Sequence, residues 1–265
     1  MTEHPFVRLA LLESFEVSFA EEVLRISVPA QRLLAQLAVV QRGRPVERTT
    51  LAERLWPETP PPRAAASLRS VLWRLPRPRG RTLVTCTTTT VRLSEDVRVD
   101  LWDAEERARR LCGSDLPTPD ALADLTPLTR DLLPGWHEDW IQVEQETFRQ
   151  TRLHALERSA WGLRAQGHFS DALCAGLGAV RGEPLRESAH RSVIEVHLAE
   201  GNHAEALRQY HGYRRLLADE LGLPPSPAIR RLMAPLLGRP VDLPTRGNHH
   251  PQSPLTATTI RSGDA

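Results

Sequence analysis

Four side chains on one candidate helix raise the chemical question first. In the stretch RAAASLRSVLWRLP, Arg63 to Pro76, a helix advancing about 100° per residue sets Arg63, Ser67, Ser70 and Arg74 within about 40° of one line. Ala64, Ala65, Leu68, Val71, Leu72 and Leu75 gather on the other side as an apolar stripe that needs a core. The polar stripe is two guanidinium groups bracketing two hydroxyls, with no carboxylate among them. Arginine bonds guanine O6 and N7 in pairs, and serine bonds base edges or phosphate, so such a face can read a nucleic-acid groove. Alone, a solvated helix face is the plainer reading. The rest of the chain decides between them.

Charge is the first arbiter. The net charge of +1 hides a division: residues 1–94 carry 14 Arg against 8 Asp and Glu, and residues 95–265 carry 20 Arg against 25. A basic N-terminal part suits a phosphate backbone, and an acidic remainder should stand clear of it. Every basic residue is Arg. At 265 residues the chain has room for about two domains. Its apolar runs fall short of the roughly 18 residues a membrane span needs, and MTEHPFVRLALLESF is a poor signal peptide, so a cytoplasmic protein away from membranes is expected. Cys86, Cys112 and Cys174 form neither a CxxC pair nor a Cys/His cluster, and buried structural thiols are expected of them.

The elements that must hold the polar face follow from periodicity. Val7, Leu9 and Leu11, then Phe15, Val17 and Phe19, then Leu24, Ile26 and Val28 alternate as three short antiparallel strands. Pro29 opens a helix carrying Leu33, Leu34, Leu37, Ala38 and Val40, which ends near Gly43. Thr49 or Thr50 can cap the next helix, LAERLW, with Glu53 completing a capping box. PETPPPR breaks it, the helix of the polar face follows, and Pro76 stops that. RTLVTCTTTTVRLSEDVRVDLW is a β-hairpin with Leu83, Val84, Val91 and Leu93 inward. Three helices and a hairpin make a winged helix-turn-helix, in which the third helix enters the major groove.

From Val99 to Leu237 the pattern is helical. QGHFSDAL (166–173) and EGNHAEAL (200–207) match with their glycines 34 residues apart, the tetratricopeptide period. Trp136 and Trp140 are expected as core anchors between the first helices there. His190 and His197, seven apart, are packing or surface residues before they are metal ligands. RPVDLPTRGNHHPQSPLTATTIRSGDA is expected to be a disordered tail, and its paired histidines a weak metal site.

Three pieces together, LAERLWPE (51–58), EPLRESAHR (183–191) and EALRQYHGYRRLLADELGLPPSP (205–227), resemble the SARP family of bacterial antibiotic-regulatory activators. The resemblance covers about residues 6–237. It implies a mainly α protein: an OmpR-type winged helix over 1–98, an all-α tetratricopeptide-like activation domain over 99–238, then the tail 239–265. It further implies an activator of a secondary-metabolite gene cluster. Such a protein binds direct repeats in double-stranded DNA upstream of promoters, often as two protomers side by side, and recruits the RNA polymerase holoenzyme. In that role Arg63, Ser67, Ser70 and Arg74 are the outward face of the recognition helix. Arg69 sits on a flank suited to phosphate, and Trp73, near Arg69, either packs under the wing or meets the sugars.

Further backbone contacts are open. Thr49 and Thr50, with Arg48 beside them, either hold a phosphate at a helix N-terminus or simply cap it. Arg77, Arg79 and Arg81 either touch phosphates or raise the local potential. Thr88 and Thr89 lie in the wing turn, where β-propensity explains them almost as well. Against the family pattern, Glu13 stands where Gly is common, Thr90-Val91 replaces a Gly-Tyr pair, Trp73 replaces a small polar residue, and Pro76 replaces a helix-continuing one. Those departures leave an alternative: a helical interaction module whose winged helix has weakened or lost DNA binding. An enzyme is not expected, since GxxxxGK[ST], GxSxG, HExxH and GxGxxG are all missing; no cofactor, metal or ATP switch is expected either.

Overall fold

The alternating residues Val7 and Leu9 form the centre of the first sheet in this computed structural model, which describes residues 6–113, 122 and 124–238. Strands β1 (Val7–Ala10) and β2 (Glu16–Phe19) pair antiparallel, with Leu9 opposite Val17. Ala20 and Glu21, both at positive φ, turn the chain into a short β3 (Glu22–Val23). The third strand expected over Leu24 to Val28 is therefore shorter and earlier. Val28 instead begins α1 (Val28–Ala35), because Pro29 removes a ladder N–H and presets the first helical turn.

Helix α1 continues as a wider π-type turn over Gln36–Val40. There the Trp102 indole N–H donates to the Ala38 carbonyl at 2.9 Å. A two-residue strand β4 (Val46–Glu47), absent from the periodicity, leads into α2 (Arg48–Leu55) and then α3 (Pro61–Trp73). Strands β5 (Val84–Cys86) and β6 (Thr90–Leu93) form the hairpin, with β4 added on the far side of β6. Strand β7 (Val97–Val99) returns to the first sheet and lies parallel to β1, Val7 opposite Val97.

Helices α4 (Asp100–Leu111), α5 (Asp139–Ala165), α6 (Phe169–Gly182), α7 (Glu187–Glu200), α8 (His203–Leu221) and α9 (Pro227–Leu237) follow. Gly167 and Gly201 stand at φ of 80° and 81° in the α5–α6 and α7–α8 turns, so the matched octapeptides occupy equivalent corners. Ala172 and Ala206, equivalent in the two copies, are both fully buried where helices meet. The helical pattern is not unbroken. Residues 124–138 contain only a 3₁₀ turn, Thr126–Thr129, and Leu132 makes an antiparallel bridge to Leu12.

That bridge fastens the two halves. The Leu133 N–H donates to the Leu11 carbonyl at 2.9 Å, and the Glu13 N–H to the Asp131 carbonyl at 2.7 Å. The Asp100 carboxylate, first residue of α4, accepts the Leu11 and Leu12 N–H groups at 2.8 and 3.1 Å. Trp136 stacks on Phe15 with ring centroids 6.0 Å apart, and Trp140 meets Trp136 edge-on at 6.3 Å. Both tryptophans pack on the main core, and Trp136, through Phe15, joins the halves as well as serving the helical one. One apolar cluster runs from Val7 through α1–α3 to Ala189.

The cysteine expectation is corrected too. Cys86, Cys112 and Cys174 are all exposed free thiols. Partial desolvation nevertheless holds the Cys86 and Cys112 thiols above their ordinary value, outweighing Arg48 and Arg158 beside them, so neither is an activated nucleophile. The expected tail, with its paired histidines, lies outside the described residues.

Candidate nucleic-acid interface

Helices α2 and α3 form a helix-turn-helix because both bury a narrow stripe. Leu51, Ala52 and Leu55 from α2 meet Ala64, Leu68 and Val71 from α3 in the common core. Pro60 precedes α3 and Pro61 and Pro62 fill its first turn, where a missing N–H costs nothing. The helix thus begins two residues before Arg63. It ends at Trp73, with Arg74 as C-cap, because the residue before Pro76 is steered out of the helical region.

The polar face assembles as the periodicity predicts. Arg63, Ser70 and Arg74 are exposed and Ser67 is half-buried. Arg69 is exposed on the flank, and Trp73 is 81% exposed, so it does not pack under the wing. Among the described residues, Arg63, Arg69, Arg74 and Arg77 have no carboxylate partner. The third helix therefore presents a cationic surface about 16 Å long without internal neutralisation.

The capping expectation is corrected. The N-cap of α2 is Glu47, without a side-chain cap bond, and Thr49 and Thr50 lie inside the first turn. The reason is β4: its ladder with β6 runs to Glu47, and the Arg48 N–H then donates to the Thr89 carbonyl at 2.8 Å. The Arg48 guanidinium also donates to the Thr87 carbonyl at 3.1 Å, which ties the wing tip to the start of α2. Arg48, Thr49, Thr88 and Thr89 thereby share one patch. Thr87 builds the turn: its hydroxyl accepts the Thr90 N–H at 2.9 Å and lies 2.8 Å from the Thr90 hydroxyl. Thr88 and Thr89 are left exposed at the tip. Val91, in place of the family's aromatic, is fully buried beneath the hairpin.

The three arginines after α3 part company. Arg77 is exposed. Arg79, at φ 47°, lays its guanidinium over the Phe19 ring at 5.7 Å, and Arg81 pairs with Asp96 at 3.0 Å. Arg81 is thus neutralised, whereas Arg79 keeps its charge and is drawn toward β2. Residues with no chemical signature in the sequence do the positioning: Thr87, Asp100 and Trp102. Only the Asp100 place, at the first turn of a helix after a strand, left a trace there.

Comparison with known proteins gives this arrangement its setting. The bacterial transcriptional activator domain profile matches residues 92–237. The regulatory protein AfsR of Streptomyces coelicolor is 28% identical over 224 residues, covering 82% of this chain and 23% of the relative. AfsR of Streptomyces griseus is 27% identical over 258 residues, covering 90% and 26%. The chain thus spans about a quarter of the length of these curated relatives. A solved structure, Mycobacterium tuberculosis EmbR in complex with a low-affinity phosphopeptide, superposes with a TM-score of 0.66 at 21% identity, over 90% of this chain and 67% of that one. That likeness covers the winged helix as well as the helical half, and it shows the fold. With the activator-domain profile matching more than half of its length, behind a helix-turn-helix and wing, the chain belongs to the bacterial transcriptional activator domain family, as a regulator of the SARP type.

Proposed function

We propose that this chain is a sequence-specific DNA-binding activator. Its N-terminal unit, to about residue 98, places Arg63, Ser67, Ser70 and Arg74 in the major groove. The single observation that carries the reading is the unneutralised polar face of α3, presented outward on the second helix of a helix-turn-helix. Arg69 and Arg77, with Thr49, Thr88 and Thr89, flank it as backbone contacts. Arg48 contributes through its hold on the wing, and Arg79 and Arg81 through local potential. The helical unit from residue 99 onward stands clear of the duplex and meets RNA polymerase. Two protomers side by side on direct repeats, upstream of a secondary-metabolite cluster in the cytoplasm, complete the proposal.

Footprinting the protein on upstream regions of its own gene neighbourhood, across a salt series, tests this. A protected pair of direct repeats that weakens steeply with salt is the expected result, because each neutralised phosphate releases counterions. Arg63→Ala with Arg74→Ala should reduce specific affinity by about 1–3 kcal/mol per lost bidentate contact, with an unchanged unfolding midpoint. Equal specific affinity in the double variant rejects this face as the reader. An absence of protection even at low salt favours the alternative, an interaction module working through its helices.

A further inference from the structure

We propose that the Trp73 indole packs against deoxyribose on the strand whose phosphate Arg69 holds, a sequence-independent apolar clamp on the groove wall. This rests on the DNA-binding reading and adds to it a residue and a kind of contact. Trp73 is the last residue of α3 and is 81% exposed, whereas Trp56, Trp102, Trp136 and Trp140 all pack on the main core. A large apolar ring left in water gains free energy when a partner covers it.

What covers it follows from its neighbours. Arg69 lies one turn before Trp73 and about 40° from it around the helix, so the two form one flank stripe. Neither makes an ion-pair or ring contact among the described residues. The α3 sequence PPRAAASLRSVLW contains no acidic residue. The partner must therefore offer negative charge and apolar surface side by side. A nucleic-acid strand does so, alternating phosphate and sugar. Trp73 also stands about 80° off the Arg63–Arg74 line, which directs it to the wall of a groove whose floor that line faces.

The test uses the full chain and two labelled duplexes: a mixed-sequence duplex three helical turns long, and the upstream region protected in footprinting. Trp73→Ala should weaken both to the same extent, about tenfold, or about 1.4 kcal/mol. It should leave the salt slope unchanged, since an indole displaces no counterion. Trp73→Phe should recover part of the loss, and Arg69→Ala should lower the slope by about one. An unfolding midpoint unchanged in Trp73→Ala shows the fold intact. A loss confined to the protected sequence overturns the proposal in favour of a base contact such as a thymine methyl. Unchanged binding to both duplexes overturns it in favour of a protein surface or bare solvent. Failure of the unaltered protein to bind either duplex removes the DNA-binding reading itself, which is a separate result.

Discussion

At the scale of single residues, Glu13 shows how a departure from a family pattern becomes physical. It holds φ at 73°, a left-handed conformation in which a side chain costs about 1–2 kcal/mol and glycine costs less. The conformation is imposed because the Glu13 N–H must reach the Asp131 carbonyl, and the Asp131 N–H in turn donates to the Glu13 carboxylate at 3.3 Å. Glu13→Gly relieves the strain, loses that long hydrogen bond and adds freedom to the unfolded chain. A net gain of about 0.5 kcal/mol is expected, read as a raised denaturation midpoint. A midpoint lowered by Glu13→Gly would assign the greater weight to the carboxylate bond. The family resemblance implied a glycine at this place, but not the reason for it. A positive φ is a property of the chain's path.

At the scale of elements, the motif EPLRESAHR turns out to be a junction between helices. Glu183 pairs with Arg149, Arg186 with Glu157, and Glu187 accepts the Ser226 N–H and hydroxyl, which secures the start of α9. His190 is buried between the Pro184 carbonyl at 2.8 Å and Gln209 at 2.9 Å, and stacks on Tyr213. Burial holds the His190 imidazole below its ordinary 6.5, against the opposing pull of the Pro184 hydrogen bond and Glu187. Burial likewise pushes the Tyr213 phenol up to about 12, beyond any physiological titration. The sign for His190 follows from linkage. Above pH 6.5 neither state holds the proton; as pH falls through 6.5 the unfolded chain binds it first, so stability drops. His190→Gln should flatten that part of the slope, measured as denaturation midpoints between pH 7 and pH 5. An identical slope in the variant would place the pH dependence elsewhere. The histidine's spacing pointed away from metal, and only packing disclosed the proton linkage.

At the scale of the whole molecule, the two halves share a core and a seam. Arg32 meets Glu138 at 2.9 Å, and Arg42 reaches both Glu105 and Glu144, at 2.9 and 3.1 Å. The Asp100 carboxylate sits at the centre of the seam, held above its ordinary value by burial although the Leu11, Leu12 and Leu101 N–H groups oppose this. Asp100→Asn would turn an amide N–H₂ toward one of two N–H donors, at a cost of about 1–3 kcal/mol. We expect one cooperative transition in which tryptophan fluorescence and helical circular dichroism coincide, and Asp100→Asn should lower both midpoints together. Separate transitions for the two signals would show that the seam does not couple the halves. These contacts tie the helical half to the half that carries α3.

The sequence by itself determined the three helices and hairpin, the polar face of α3 and the paired helix corners at Gly167 and Gly201. Each of those is written in a period of a few residues, and local geometry carries it directly into structure. Tertiary structure alone decided that β7 returns parallel to β1 and that Leu132 closes on Leu12. It also decided that Arg48 and Arg81 are engaged within the protein while Arg63, Arg69, Arg74 and Arg77 have no carboxylate partner among the described residues. The cysteines lie exposed for the same reason. The contacts among these facts join residues about 15 to 120 positions apart, and no local pattern records which partner a side chain will find across the fold.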